Sequence, residues 1–228
     1  MARLPRLVLP GHAHWVIQRG HGGRPVFADQ QDRQAFLLAL CESALICDVA
    51  VLAWALLENE VQLLLVPAND TGLSRLMQAV GRRYVSAYHR RHGGAGTLWD
   101  GRFRCALVEP GATLLALLAA VDGLSVEPRH TSAAQRLGGG ERHPAFTDPA
   151  EYWCLGNTPF EREAAYRRLM AEGPPAAEWM RWRQSALGGW AIGADAFSAR
   201  VAQTSARPVR PRRPGRPRGT GRAGTPGG

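Results

Sequence analysis

Residues 49–66 read VAVLAWALLENEVQLLLV and form the most apolar stretch in the first half of the chain. The run at 49–57 is too short for a typical helix and is flanked by polar residues, which indicates a central strand. Glu58 and Asn59 provide a polar turn, and a second strand is expected at 60–66. The stretch therefore predicts a β-hairpin inside a sheet.

The flanking segments supply the other elements of one domain. Before the hairpin, residues 15–19 predict a short strand, and Asp29 can cap a helix that extends to about residue 45. After it, residues 69–71 offer caps for a long helix that stops at Gly93, followed by a strand at 103–108 and an apolar helix at 113–124. This order predicts an α+β fold with a ferredoxin-like antiparallel sheet covered by helices.

Charge is distributed unevenly along the 228 residues. The net charge is +9, and the segment after residue 199 contributes eight arginines and no acid, so residues 1–199 carry only about +1. A segment so rich in Arg, Pro and Gly predicts a disordered tail that binds polyanions in a salt-sensitive way. Within it, Arg216 and Arg218 stand in a Pro-Gly-Arg-Pro-Arg-Gly string similar to an AT-hook core. A solvated basic tail is the alternative.

Other features limit the class of protein. No apolar run approaches the ~20 residues that span a bilayer, so a soluble, cytoplasmic protein with no membrane partner is expected. The four cysteines are widely spaced and are expected to be reduced and mostly buried. Trp179 and Trp182 lie three residues apart in a helical region and either attach that region to the main domain or are ordinary packing aromatics.

The long helix predicted after residue 71 is apolar on one side and cationic on the other. Arginines and aromatic residues in and after this helix form the combination expected for single-stranded DNA, with cations for the backbone and rings for stacked bases. A solvated charged face is the alternative. The candidate DNA-binding residues are Arg82, Arg83, Tyr84, Arg90, Arg91, Trp99, Arg102 and Arg104, with Arg216 and Arg218 in the tail.

Several strings occur together in order: Gln-Arg-Gly at 18–20, Pro-Val-Phe at 25–27, Gly-Arg-Arg-Tyr at 81–84, Gly-Thr-Leu-Trp-Asp-Gly-Arg at 96–102 and Leu-Gly-Asn-Thr-Pro at 155–159. Read together, they resemble REP-associated tyrosine transposases, relatives of single-tyrosine insertion-sequence transposases. The resemblance implies an HUH-nuclease fold that recognises hairpins or repeats in single-stranded DNA, associates with the nucleoid, and exists as a monomer or homodimer. The change to Trp-rich helical pieces beyond residue 130 and the basic composition after residue 199 divide the chain into a DNA-binding domain at 1–130, a helical extension at 131–199 and the tail at 200–228.

Members of that family hold a divalent metal with two histidines and attack the phosphate with a tyrosine. The matching positions here are Glu60 and Gln62 for the histidines and Ala120 for the nucleophile. An alanine methyl cannot attack phosphorus, so strand cleavage is expected to be lost and no cofactor is expected. The alternative is an active transposase or nuclease in which Glu60 and Gln62 bind Mg²⁺ or Mn²⁺.

Two other features imitate the missing groups. His12 and His14 flank an alanine as a metal-binding pair would, but at the edge of the first predicted strand. Tyr84 and Tyr88 are four residues apart on the cationic helix. Neither pair is expected to restore catalysis.

Overall fold

In a computed structural model, residues 5–138 and 142–211 are described. Their elements in chain order are β1 (His14–Arg19), α1 (Gln30–Ile46), β2 (Val49–Leu56), β3 (Glu60–Pro67), α2 (Gly72–His92), β4 (Arg104–Leu107), α3 (Ala112–Asp122), α4 (Ala133–Arg136), α5 (Ala150–Trp153), α6 (Pro159–Glu172), α7 (Ala176–Gly188) and α8 (Asp195–Thr204).

The four strands form one antiparallel sheet in the order β2-β3-β1-β4. The predicted hairpin is the β2–β3 pair, in which Leu56 faces Val61 across the turn. β1 lies between β3 and β4, so strands distant in sequence meet in the centre, as in ferredoxin-like folds. The predicted α+β class and the predicted order of elements through α3 are confirmed.

Helices cover both faces of the sheet. Side chains alternate between the faces along β1, so Val16 packs with α1 and α2, whereas Trp15 and Ile17 pack with α3, α6 and α7. Because both faces are covered, β2 and β3 are buried along almost their whole length. The near-continuous apolar runs of the hairpin follow from this two-sided burial.

The two long helices differ in how they begin. Asp29 caps α1 as expected, because its side chain accepts a hydrogen bond from the Asp32 amide. Thr71 precedes α2 without capping it through its side chain, and the Asn69 side chain accepts from the Thr71 amide instead. The predicted capping residues 69–71 therefore form a local turn before α2 and do not cap it with a side chain. No helix within the described residues is long and apolar enough to cross a bilayer.

The region after residue 130 shares the core of the sheet. α7 packs on β1 and β4, where the Trp179 ring lies 5.0 Å from the Trp15 ring, and Trp182 is buried. The two tryptophans therefore do attach this region to the sheet. Ion pairs at α4 add to the attachment, since the fully buried Arg136 contacts Asp122 at 2.6 Å and Asp148 at 3.1 Å.

The predicted start of a disordered tail at residue 200 is wrong for residues 200–211. α8 continues to Thr204, and Val201 and Val209 are buried in a small cluster with Leu7, Leu107 and Phe197. These apolar side chains have a place to pack, which offsets the entropy of ordering the segment. The AT-hook-like string with Arg216 and Arg218 lies outside the described residues.

Candidate nucleic-acid interface

Glu60 and Gln62 lie on the same face of β3, two residues apart, and both are buried. The Glu60 carboxylate accepts four hydrogen bonds: Oε1 from Gln62 Nε2 (2.7 Å) and Arg183 Nη1 (2.9 Å), and Oε2 from Arg183 Nη2 (2.6 Å) and Arg19 Nε (3.0 Å). Gln62 Oε1 in turn accepts from Trp15 Nε1 at 3.2 Å. The two side chains are thus joined in one network.

This network does not fit a divalent cation. A carboxylate offers about four lone-pair sites, and all of them are used on Glu60. Burial alone would raise the pKa of Glu60, but the bidentate Arg183 guanidinium, with Gln62 and Arg19, lowers it below its ordinary value and keeps the group charged. The positive charge that the carboxylate requires therefore comes from Arg183 on α7.

No nucleophile stands at the position the resemblance assigns to one. Ala120 is buried on α3. The Tyr84 side chain is 1% exposed, and its hydroxyl donates to the Val26 carbonyl. Burial also raises the pKa of Tyr84 far above its usual value. Tyr84 can neither attack a phosphate nor stack on a base, so the candidate DNA contacts no longer include it.

The His12 and His14 pair does not form a metal site either. The His14 ring is fully buried, its Nε2 accepts from the Leu9 amide, and its Nδ1 donates to the His12 carbonyl at 2.8 Å. Burial lowers the pKa of His14 to about 4, so the ring is neutral. Among residues 5–138 and 142–211, no three His, Cys, Asp or Glu side chains come together as a metal site.

The predicted cationic residues of α2 fall into two groups. Arg83 pairs with Glu42 of α1, and Arg91 pairs with Asp29 (2.7 Å) and with Asp32. These two arginines tie α2 to α1, so their charge is compensated. Arg82 and Arg90 are exposed, and their side chains make no ion pair within the described part of the chain. Only the second group remains available for phosphate.

A groove of about 590 Å³ lies between α2 and the loop at residues 99–103. Its apolar surface comes from Phe36, Met77, Val80, Trp99 and Phe103, and its cations are Arg6, Arg75 and Arg102. The Arg6 guanidinium lies 3.7 Å from the centre of the Phe103 ring, a cation–π contact.

The loop that carries Trp99 is fixed to the end of β1. Asp100 N donates to the Arg19 carbonyl at 2.8 Å, and Gln18 Nε2 donates to the Gly101 carbonyl at 3.2 Å. Trp99 is therefore a preformed wall of the groove. The predicted residues Trp99 and Arg102 meet here, and Arg104 follows on β4, where its side chain is exposed.

Two groove residues were absent from the predicted interface. Arg75 lies two helical turns before Arg82, so its position on the same face of α2 could have been inferred from helical spacing. Arg6 gave no such signal, because its place depends on a contact with Phe103, which is 97 residues away in sequence.

No family model matches the chain, and no curated protein matches it. Among solved structures, the chain is similar to a REP-associated tyrosine transposase bound to a REP hairpin, with 15% identity and a TM-score of 0.45 over 53% of this chain and 70% of that one. It is also similar to a putative transposase from Deinococcus radiodurans, with 21% identity and a TM-score of 0.37 over 48% of this chain and 88% of that one.

Proposed function

We propose that this protein is a transposase-like DNA-binding protein that holds single-stranded DNA folded into hairpins or repeats and does not cut it. One observation carries the proposal: an aromatic groove is bordered by arginines, and Arg82 and Arg104, the exposed residues that directly follow the lining residues Gly81 and Phe103, have no carboxylate partner among the described residues. Stacking surfaces beside cations are what an unpaired strand requires.

The groove favours unpaired DNA over duplex. Bases in a duplex are stacked on each other and cannot reach the ring of Trp99 without unstacking, which costs free energy. Unpaired bases beside a hairpin stem carry no such cost. Arg82, Arg90 and Arg102 can meanwhile neutralise backbone phosphates and release counterions. In this proposal the ligand is a DNA hairpin with unpaired flanks, and the protein is associated with the nucleoid.

Loss of cleavage follows from the residues at the catalytic positions. The alternative, an active nuclease with Glu60 and Gln62 as metal ligands, would require Arg183 and Arg19 to leave the carboxylate and Trp15 to leave Gln62. It would also need a nucleophile other than the methyl group of Ala120. The hydrogen bonds of Glu60 support the binding role over the catalytic one.

Binding competition tests the proposal. A labelled DNA hairpin with unpaired tails is titrated with the full-length protein by fluorescence anisotropy, against unlabelled hairpin, duplex and unstructured competitors. We expect the hairpin with tails to compete best, and we expect Arg82→Gln with Arg102→Gln to weaken binding severalfold. The matched control is Arg129→Gln with Arg168→Gln, which removes the same charge from exposed residues outside the groove. Equal losses in the two double variants would contradict the proposed surface.

A further inference from the structure

A second cavity, of about 140 Å³, shares the lining residues Arg6, Arg102 and Phe103 with the groove. Four arginines line it: Arg6, Arg102, Arg104 and Arg207. None of the described residues that line it is acidic; the other lining residues are Pro5, Phe103, Cys105, Gly188 and Gly189. A small cavity with four guanidinium groups and no carboxylate is an anion site by its chemistry.

Two of these arginines are held in place by neutral groups. Arg207 donates to the carbonyls of Pro5 (2.6 Å), Gly189 (2.6 Å) and Pro208 (3.0 Å). Arg6 donates to the Phe103 carbonyl at 3.3 Å and lies over the Phe103 ring. The three carbonyls orient the Arg207 guanidinium without cancelling its charge, and the contacts with Phe103 orient that of Arg6. Burial lowers the pKa of Arg207, as expected for a cation with no counter-charge nearby.

The other two arginines are exposed at the beginning of β4. Arg104 is the first residue of the strand, and Arg102 lies in the loop before it. Neither side chain makes a hydrogen bond or ion pair with another described residue. Like charges brought together in this way repel one another, so a bound anion would stabilise the arrangement.

We propose that the arginine cavity binds a backbone phosphate and that the adjoining groove receives the base of the same nucleotide. Arg6, Arg102 and Phe103 line both spaces, so a phosphate and a base joined by one sugar can occupy them together. The inference rests on the proposed function, because the nucleotide belongs to an unpaired segment of the bound DNA. It assigns one nucleotide to a defined place on the protein.

The phosphate half is tested by neutralising one phosphate at a time. Full-length protein is titrated with DNA hairpins whose unpaired tails carry a single methylphosphonate, walked along the tail. We expect one position at which neutralisation weakens binding severalfold. Arg104→Gln should abolish sensitivity at that position and reduce the slope of log affinity against log salt by about 0.7. The control is Arg168→Gln, which changes an exposed arginine of α6 and should leave the sensitivity at that phosphate unchanged.

The base half is tested by filling the groove. Gly81 lines the groove from α2, and a Cβ built on it meets nothing within 4 Å. Gly81→Leu should therefore place a side chain in the groove while favouring the helix. We expect it to weaken hairpin binding about tenfold, the size of one lost base stack. An abasic site next to the sensitive phosphate should weaken binding similarly, and the two changes together should not be additive. Gly81→Ala should bind as the unmodified protein does.

The possible outcomes distinguish a failure of this inference from a failure of the proposed DNA-binding function. If the hairpin binds but no single phosphate matters, or if Arg104→Gln keeps the sensitivity, the phosphate assignment is overturned and the DNA-binding role stands. If Gly81→Leu and the abasic change are additive, the base assignment is overturned. If the unmodified protein does not bind the hairpin at all, the proposed function fails and this inference fails with it.

Discussion

Arg183 supplies positive charge to the buried Glu60 carboxylate. Its guanidinium makes two hydrogen bonds with the carboxylate, the geometry that gives such pairs their strength and direction. The resemblance drew attention to Glu60 and Gln62, which it aligns with the metal ligands of that family. It could not identify Arg183, which is 123 residues away and reaches β3 only because α7 packs on the sheet.

Removing this arginine should destabilise the fold. Arg183→Gln leaves the buried Glu60 carboxylate with a weaker set of donors, and we expect a loss of about 2 kcal/mol in the free energy of unfolding, less than for a fully buried pair because Arg183 is partly exposed. The measurement is urea denaturation. Arg181→Gln on the same helix breaks only an exposed pair with Glu178 and should cost less than about 0.5 kcal/mol. Equal losses would show that Arg183 has no special role at Glu60.

His14 predicts a dependence of stability on pH. Its pKa falls from 6.5 to about 4 on folding because the ring is buried, so between these values the unfolded chain binds a proton that the folded chain does not. The free energy of unfolding is therefore not reduced by His14 above pH 6.5. It decreases as the pH falls from 6.5 towards 4, by about 3 kcal/mol at most. Urea denaturation across this range measures it. His14→Gln should flatten the profile between pH 6.5 and 4, and an unchanged profile would assign the dependence to other groups.

Periodicity and turn residues predicted most of the helices and strands in the first 125 residues. The hairpin, α1, α2 and α3 have apolar patterns that suit burial in a layered fold. The packing of residues 200–211 could not be predicted in this way. Val201 and Val209 are isolated apolar residues in an Arg- and Pro-rich segment, and their packing against Leu7 depends on tertiary structure alone.

One buried arginine connects several elements. Arg136 of α4 pairs with Asp122 at the end of α3 and with Asp148 before α5, and all three side chains are almost completely buried. Arg136→Met should lower the free energy of unfolding by about 3–5 kcal/mol, because the buried Asp122 carboxylate loses its cation and Asp148 keeps only its pair with Arg142. Urea denaturation measures the loss. Adding Asp122→Asn and Asp148→Asn should recover part of it, and no recovery would mean that lost packing, and not unpaired charge, causes the effect.

Besides the arginines of the groove and of the adjoining cavity, the sequence after Pro211 carries positive charge. Five arginines follow that residue: Arg212, Arg213, Arg216, Arg218 and Arg222. Ending the chain at Pro211 should reduce the slope of log affinity against log salt by up to about 3.5. Preference for the hairpin over other DNA should remain, because we assign it to the groove. Titrations at several salt concentrations measure both quantities. Loss of the preference would show that residues after Pro211, and not the groove, recognise the hairpin.

The interface itself was only partly accessible from the sequence. The meeting of Trp99 and Arg102 at the groove could be predicted from the loop that carries both residues. The separation of Arg83 and Arg91 from the groove could not, because it depends on carboxylates of α1 that pack beside α2. The same limit applies to Arg6 and Arg207, which come from opposite ends of the chain to one cavity.

We propose that this protein binds folded single-stranded DNA without breaking it. The most direct test incubates the full-length protein with a labelled hairpin oligonucleotide and Mn²⁺ and divides the sample between a native and a denaturing gel. We expect a retarded band on the native gel, and on the denaturing gel only the intact, protein-free oligonucleotide. A shortened oligonucleotide or a covalent protein–DNA adduct on the denaturing gel, or no retarded band on the native gel, would contradict the claim.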